Sequence, residues 1–493
     1  MPEGNPNIHT KQEIIEFWNS IESLLTIKDE ISDQEANTVL VAYITRASKS
    51  FHDFLKTDRD LYRMVLTLTE SDLWLKTRQF CISKLLSLLN VDLLDMQMKF
   101  TIVYILLWEA KQNLDSLDLM LEYQGFNVFY NTLYTQFAYL QKYPTKSQDN
   151  DNNNNMDQEI SDIEISIIDE MKKISTFLMD LLFIIFKYNK CQVANIQIID
   201  DFFIYFLINT VRSDLTDDLY NNALFKLILS LNEQYIIIAR TYEIDNKIFK
   251  YLISHTSNSM EFIELLLLKF NRMMDRPLQI MMCKILYSIF TCTDDNISFN
   301  FFYLNDLNVF VDVLIRELQN ISDSQEILRN TFLRVMIPLL NNTELSKTHY
   351  RKDDIIEVLT SLTNIDNICS NDKPTTEQLT TVRLANKCFA KVAWLETIPP
   401  NTNTKNSSLK ELKIFSPVTS SLPSPTNNLI LIPPPLTSSR SSSVSGMSLR
   451  SMDNSNMQFY NNDVFDSSAE SLTTRKNRPP PPPPPSRKRF TTR

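Results

Sequence analysis

A run of seven prolines with basic residues at both ends is the segment of this sequence best suited to molecular recognition. The prolines extend from Pro479 to Pro485, with Arg478 before them and Arg487 shortly after. Each proline ring fixes φ and removes the backbone N–H, so the run forms neither helical nor ladder hydrogen bonds. We expect the extended polyproline II conformation, which rises about 3.1 Å per residue and is stiff before a partner binds.

The flanking charges give this segment a direction, as in ligands of SH3 domains. Such domains hold prolines in aromatic grooves and an arginine in an acidic pocket. The charge can precede the two proline contacts or follow them, so both orientations fit. The predicted SH3-binding residues are Arg478, Pro481 and Pro484 in one orientation, Pro482, Pro485 and Arg487 in the other, and Pro479 at the start of the run. A solvated spacer or a profilin-type contact is the alternative interpretation.

Residues for catalysis or metal binding are sparse and scattered. The four histidines, His9, His52, His255 and His349, form no HExxH or Cys/His zinc pattern, and the carboxylates show no EF-hand spacing. No GxSxG motif or glycine-rich nucleotide loop is present. The sequence therefore predicts no catalytic residues, no metal site and no cofactor, and a protein that is not an enzyme.

The scarcity of glycine limits the fold. Gly4, Gly125 and Gly446 are the only glycines, so just one glycine lies between residues 5 and 400. Glycine is the usual residue where φ is positive, as in hairpin turns and phosphate-binding loops. Its near absence argues against β-sandwich, Rossmann and P-loop folds and favours a helical body.

Apolar residues between about 8 and 395 follow helical spacing, with short polar breaks between segments. The segment 280–290 is apolar nearly all round, which predicts a helix buried between two neighbours. This pattern predicts an all-α fold, an armadillo/HEAT-like helical solenoid over residues 1–400. No sequence repeat of about 40 residues is evident, so a compact array of helical bundles is the competing architecture.

Two segments differ in composition from the predicted helices. Residues 146–161 are polar and asparagine-rich, which predicts a disordered loop between a helix ending near Tyr143 and one beginning near Ile160. Residues 401–493 are rich in Ser, Thr, Asn and Pro and lack apolar periodicity. Little of this segment could be buried to offset the entropy of ordering, so we expect a disordered Ser/Pro-rich tail.

Charge is divided between these two predicted domains. Residues 401–493 hold 12 Lys/Arg and 5 Asp/Glu, whereas the preceding 400 residues hold 37 and 54, so the net charges are +7 and −17. The acidic body argues against binding of nucleic acid, because phosphates would be repelled. Even the longest apolar runs, such as Phe202 to Ile208, are too short to insert into a membrane. Six cysteines without a CxxC pair indicate buried, reduced thiols and a cytoplasmic protein.

Four stretches of the predicted helical body are long enough to compare with known families. They are Leu229–Tyr235, Phe302–Leu318, Thr348–Lys352 and Cys388–Leu395. They resemble the leucine-rich domain of the SPIN/WISH/DIP family, SH3-interacting proteins that activate the actin-related protein 2/3 complex. The third stretch departs from the family, which tends to have His-Pro-Tyr where this chain has Thr-His-Tyr. The resemblance covers roughly Met171 to Leu395, and the last stretch is similar to the final helix of the domain.

The resemblance implies a role in actin assembly. Members of the family bind the seven-subunit complex and activate it without a pre-existing filament, which gives linear filaments that seed later branching. The first hundred residues are helical in pattern, so this chain is similar to the fungal members, which pair the helical domain with a proline-rich tail. The implied partners are the actin-related protein 2/3 complex and SH3-domain endocytic proteins, and the implied location is the cortical actin patch during clathrin-mediated endocytosis.

Three polar residues in the most family-like stretch are candidates for partner binding. They are Asn305, Asp306 and Arg316. A simpler expectation for Asn305 and Asp306 is that they cap a helix from Leu307 to Leu318 by accepting from its free N–H groups. Arg316 also fits a solvated charge.

Two other functions fit the sequence. The first is an SH3-binding endocytic adaptor without nucleation activity. The second is a nuclear helical-repeat protein, because Arg475-Lys476 and Arg487-Lys488-Arg489 also fit a bipartite nuclear signal. Such a signal gives no reason for seven prolines between its basic clusters.

The proline run yields a direct prediction. Replacing Pro482 and Pro485 together by alanine should abolish capture of the full chain by an SH3 domain, because it removes both proline contacts of the orientation that uses Arg487 and interrupts the polyproline run. Helicity measured by circular dichroism should not change. A loss of helicity would show that the tail packs on the body and that the division at residue 400 is wrong.

Overall fold

The fold is built from α-helices, as the pattern predicts. The computed structural model describes residues 10–27, 31–143, 161–189, 191–212, 218–239, 241–272, 275–292, 299, 301–322, 325–369 and 373–395, and these ranges contain no β-strand. The predicted tail, 401–493, lies outside the described residues, and so does the predicted loop 146–161 apart from Ser161.

The helices of the N-terminal half are α1 (Lys11–Leu24), α2 (Asp33–Lys49), α3 (Phe51–Phe54), α4 (Asp58–Thr69), α5 (Asp72–Leu89), α6 (Met96–Gln112), α7 (Asp115–Glu122), α8 (Gly125–Leu140), α9 (Asp162–Tyr188) and α10 (Val193–Gln197). Those of the C-terminal half are α11 (Asp201–Thr210), α12 (Leu219–Ile238), α13 (Lys247–Ser254), α14 (Thr256–Arg272), α15 (Arg276–Phe290), α16 (Leu304–Asn320), α17 (Glu326–Asn342), α18 (Leu345–Thr348), α19 (Lys352–Thr363) and α20 (Thr376–Lys391). Two 3₁₀ turns, Ile365–Asn367 and Ala393–Leu395, precede and follow α20.

The polar breaks in the sequence start helices through their side chains. Capping boxes begin five of the described helices. In each, a Ser or Thr side chain accepts from the N–H of the third helical residue, and the side chain of that residue accepts from the N–H of the cap. Their N-cap residues are Thr10, Ser32, Thr57, Ser161 and Thr375. Aspartate or asparagine side chains cap α6, α11, α12, α13 and α15. These caps satisfy N–H groups that would otherwise be unpaired at each helix start.

Two rows of helices form an armadillo-like solenoid. The inner row consists of α2, α6, α9, α12, α15, α17 and α20, in which each helix contacts the next. The second row consists of α5, α8, α11, α14, α16 and α19, and each again contacts the next. From α8 onward, each helix of the second row also contacts the inner helix that follows it in sequence. One connected hydrophobic core runs between the rows from Phe17 to Leu395.

The length of the structural repeat explains why it was not found in the sequence. Inner helices α12, α15, α17 and α20 begin at Leu219, Arg276, Glu326 and Thr376, so successive repeats are 57, 50 and 50 residues long. The structural repeat is therefore longer than 40 residues. As predicted for 280–290, α15 is enclosed on several sides, by α12, α13, α14 and α17.

Gly125, the one glycine between Gly4 and Gly446, lies where α7 and α8 approach each other closely. It is the first residue of α8, directly after Gln124, whose φ is +58°. A Cβ at Gly125 would lie 2.6 Å from the carbonyl oxygen of Met120 in α7. The turn between α7 and α8 can therefore be this tight only with glycine.

The prediction of buried thiols is confirmed for four of the six cysteines. All six cysteines lie among the described residues without a disulfide, four are buried, and Cys292 and Cys369 are half-buried. Burial raises the pKa of the thiols of Cys191 and Cys388 to about 12, so both remain protonated and unreactive at neutral pH.

None of the described helices combines the length and apolar character needed to cross a membrane.

The family-like stretch Leu229–Tyr235 connects three elements inside α12. Gln234 Nε2 donates to the carbonyl oxygens of Phe186 and Asn189 at the end of α9, at 2.6 and 3.0 Å. Gln234 Oε1 accepts from the N–H of Cys191 at 3.3 Å. The neighbouring Glu233 pairs with the buried Lys284 of α15. This stretch therefore closes the end of α9 and joins three consecutive inner helices.

We expect Gln234→Ala to destabilise the fold by about 2 to 4 kcal/mol, because it leaves buried backbone groups unpaired and opens a cavity. Thermal unfolding should shift down by a few degrees. Gln319→Ala is the matched control, since Gln319 is exposed on α16 and its replacement should leave the transition unchanged. Equal behaviour of the two variants would contradict the role given to Gln234.

Candidate protein-interaction site

The predicted SH3-binding segment, Arg478 to Arg487, lies outside the described residues, and its binding stays a prediction. The other candidates for partner binding, Asn305, Asp306 and Arg316, all lie on α16, in the second row of the solenoid. The site is therefore built from this helix and from what packs on it.

The expectation that Asn305 and Asp306 cap a helix starting at Leu307 is wrong. The helix starts three residues earlier, with Tyr303 as N-cap and no side-chain bond to the free N–H groups. Instead, the Tyr303 carbonyl accepts from the N–H groups of Asp306 and Leu307, at 3.0 and 3.1 Å. Phe302 and Leu307 occupy the positions of a hydrophobic staple and are both buried, which favours the earlier start.

Two of the three candidates share one exposed face of α16. Asn305, Val309, Asp312 and Arg316 are spaced at i, i+4, i+7 and i+11, which places them in one line along the helix. Asn305 and Arg316 are exposed, Val309 is 48 % exposed, and Asp312 is half-buried. This line, called the α16 face below, is about 16 Å long. Asp306 lies beside this face in the first turn of α16. A negative charge at this position interacts favourably with the helix dipole.

The turn between α18 and α19 stores backbone strain next to this face. His349 and Arg351 have φ of +52° and +54°, in the left-handed region that side chains other than glycine rarely adopt. Each costs on the order of 1–2 kcal/mol. A proline, which the family tends to have before the tyrosine, cannot adopt the φ of His349, so the turn differs from that pattern. Strain of this kind indicates a site whose shape is held by its surroundings.

Polar contacts from two helices hold the turn. The Tyr350 hydroxyl donates to Asp312 Oδ2 of α16 at 3.1 Å. Arg351 Nε pairs with Asp354 Oδ2 of α19 at 2.7 Å and lies 3.8 Å from Asp312 Oδ1. The α16 face and the strained turn thus form one continuous surface.

The C-terminal end of the described chain supports the other side of the turn. The His349 ring stacks on Trp394 with 4.8 Å between ring centroids, and Trp394 Nε1 donates to the Leu340 carbonyl at 3.2 Å. The last helix does not extend to Leu395, because α20 ends at Lys391 and a 3₁₀ turn follows. This change of direction buries Leu395 while Trp394 meets the turn.

The chemistry of this surface is that of binding. Burial, then the hydrogen bond to Asp312, raises the pKa of Tyr350, so its hydroxyl stays protonated and donating at neutral pH. The surface presents an amide, a guanidinium, a carboxylate and an apolar side chain on a fixed backbone. Sequence reasoning found Asn305 and Arg316 but missed Asp312 and Tyr350, although each lies in a family-like stretch.

Comparison with known proteins places this region in a described family. The family model of the SPIN90/Ldb17 leucine-rich domain matches residues 217–355. This range contains the α16 face, the strained turn and the first three family-like stretches. The fourth stretch, Cys388–Leu395, lies beyond the range of this model.

Three relatives are similar over longer ranges. Protein LDB17 of Saccharomyces cerevisiae is 55 % identical over 434 residues, which cover 83 % of this chain and 88 % of that protein. Protein LDB17 of Eremothecium gossypii is 48 % identical over 385 residues, covering 78 % and 83 %. Protein dip1 of Schizosaccharomyces pombe is 30 % identical over 190 residues, covering 37 % and 50 %.

The contact between the turn and α16 can be tested by Tyr350→Phe. Removal of the hydroxyl should destabilise the fold by about 1 kcal/mol, because Asp312 loses a hydrogen-bond donor. The turn should also become more susceptible to proteolysis. Tyr303→Phe is the matched control, since Tyr303 is 57 % exposed and its loss of a hydroxyl should have no effect. Identical melting curves and identical cleavage for both variants would contradict the contact.

Proposed function

Because this chain belongs to the SPIN90/Ldb17 family, we propose that it binds the actin-related protein 2/3 complex and activates it. The activated complex then nucleates linear seed filaments during clathrin-mediated endocytosis. The observation that carries the proposal is the similarity to the family, which extends over 88 % of the budding-yeast relative at 55 % identity. The protein acts by binding and is not an enzyme.

The physical basis of activation is a shift of population. A ligand moves a two-state equilibrium only by its difference in affinity for the two states. A surface that fits the active arrangement of the two actin-related subunits better than the inactive one therefore activates the complex. A stiff surface is favourable because little conformational entropy is lost when it binds. The solenoid, with its continuous core and fixed helix caps, supports this requirement.

The α16 face and the strained turn are the part of the surface that we assign to this contact. They lie within the matched leucine-rich domain. Their polar groups are held by bonds between helices, so they are oriented before a partner arrives. Asn305 and Arg316 supply exposed polar contacts, and Val309 supplies an apolar one.

The tail supplies recruitment in this proposal. The run from Pro479 to Pro485, with Arg478 and Arg487, binds SH3-domain endocytic proteins and brings the cytoplasmic protein to cortical actin patches. Tethering raises the local concentration of the body without a new contact to the complex. Recruitment and activation are thus separable.

Assembly of pyrene-labelled actin tests activation. The purified full chain, added to the complex and monomeric actin without preformed filaments, should shorten the lag before polymerisation. An unchanged lag would leave only the adaptor function.

A charge reversal on the α16 face sharpens this assay. Arg316→Glu should slow polymerisation several-fold, because it replaces an exposed cation of the contact by an anion. Arg59→Glu is the matched control: Arg59 is exposed in the first turn of α4, where an acidic residue is favourable to the helix dipole. It should retain full activity, and circular dichroism should show both variants folded. Equal activity of both would move the contact away from this face.

A further inference from the structure

The last three helices of the inner row are basic within an acidic domain. Helices α15, α17 and α20 together contain seven basic residues and only two acidic ones, Glu326 and Glu377. The first 400 residues as a whole have a net charge of −17. This local reversal of charge needs an explanation in the structure.

Three of the seven cations stabilise the fold. Arg276 pairs with Glu317 of α16 at 2.8 Å, and Lys284 and Arg329 are buried ion-pair partners of Glu233 and Glu326. Buried charges of this kind require a partner, because desolvation without one is costly. These three cations are therefore fully accounted for.

The other four basic residues have no such role. Arg334, Arg383, Lys387 and Lys391 form no ion pair with any residue of the described ranges. With the residues that the structure describes, the one side-chain hydrogen bond of these four cations runs from Arg383 Nη2 to the Thr380 hydroxyl at 3.4 Å. Neither α17 nor α20 has a carboxylate within one turn of the two arginines.

The packing of α17 on α20 brings these cations together. Asn330 Nδ2 donates to the Glu377 carbonyl at 3.0 Å near the starts of the two helices. Asn341 Nδ2 donates to the Lys391 carbonyl, also at 3.0 Å, near their ends. The helices therefore run side by side in the same direction.

This register places two arginines next to each other. Arg334 is half-buried, and Arg383 is exposed. Burial lowers the pKa of Arg334, and the positive charge of the nearby Arg383 lowers it further. Two such groups without an anion are unfavourable, whereas a carboxylate bound between them would relieve the repulsion and accept bidentate hydrogen bonds.

Apolar side chains extend this surface toward the helix starts. Ile327 of α17 is 47 % exposed and lies two turns before Arg334 on the same side. Leu379 of α20 is 54 % exposed and lies one turn before Arg383. From Leu379 to Lys391 the surface is about 18 Å long. We call it the basic strip, and it consists of Ile327, Arg334, Leu379, Arg383, Lys387 and Lys391.

We propose that the basic strip binds a short acidic segment of a protein partner. An apolar side chain of that segment contacts Ile327 and Leu379. Carboxylates further along pair with the two arginines and with Lys387. The acidic surroundings disfavour polyanions such as nucleic acid, which would have to extend over the repelling surface. A segment of three or four helical turns matches the length of the strip and avoids that repulsion.

Fluorescence anisotropy with the full chain tests this proposal. The probe is a fluorescein-labelled peptide of fourteen residues with two leucines followed at helical spacing by four glutamates. The same peptide with four glutamines serves as the neutral control. We expect saturable binding of the glutamate peptide and at least tenfold weaker binding of the glutamine peptide.

Variants locate the binding. Arg334→Gln with Arg383→Gln should weaken binding of the glutamate peptide at least tenfold, and Lys387→Gln, which replaces an exposed lysine, should weaken it about threefold. The matched double variant is Arg46→Gln with Arg59→Gln, which removes two exposed arginines from α2 and α4 and should have no effect. Melting curves check that each variant is folded.

Three results would overturn the proposal. Equal binding of the glutamate and glutamine peptides would remove the role of charge. Equal loss in the two double variants would indicate general electrostatic attraction. Binding of vesicles containing phosphatidylserine, with dependence on Arg334 and Arg383 but without peptide binding, would assign the strip to a membrane. No actin is needed, so failure here is distinguishable from failure of the proposed activation.

Discussion

Burial of each inner helix between its neighbours is the constraint on which the rest of this structure depends. A helix such as α12 packs against α9, α11, α13 and α15, so its apolar side chains occupy nearly the whole circumference. Each large apolar side chain buried in this way contributes about 1.5–3 kcal/mol. Pairing lowers the cost of burying a polar group, which explains the bonds of Gln234 and the buried ion pairs of Lys284 and Arg329. A helix cannot shift without breaking these bonds, and the surface outside is correspondingly stiff.

The helical fold could be predicted from the sequence because it follows from local chemistry. The lack of glycine, the apolar spacing and the all-round apolar segment 280–290 each depend only on neighbouring residues. The start of α16 depends on more. Asn305 is a good capping residue, but burial of Phe302 against the core fixes an earlier start, and burial is a property of the tertiary structure. The repeat was missed because its period is longer than 40 residues and varies along the chain.

For the same reason, only part of the candidate site could be predicted from the sequence. Arg316 is exposed on an amphipathic helix, and such a position can be read from spacing alone. The left-handed backbone at positions 349 and 351 could not be predicted, because a histidine and an arginine occupy these positions, where glycine or asparagine would be the usual signal. Two long-range contacts hold this turn. Asp312, 38 residues before Tyr350, accepts a hydrogen bond from the Tyr350 hydroxyl, and Trp394 stacks on the ring of His349. Stretches that resemble a family can thus be found separately, while the contact that unites them appears only in three dimensions.

The basic strip also has to attract an anion within a domain of opposite charge. At physiological ionic strength the Debye length is about 8 Å, so charges further away are largely screened. An acidic segment lying along about 18 Å of α20 therefore interacts mainly with the four cations of the basic strip, which form no ion pair with described residues, and only weakly with the distant charges of the acidic domain. At low ionic strength the repulsion from the whole domain reaches further and opposes the approach. Binding at this strip is accordingly a short-range effect that depends on the position of individual arginines, and the net charge of the domain is a poor guide to its partners.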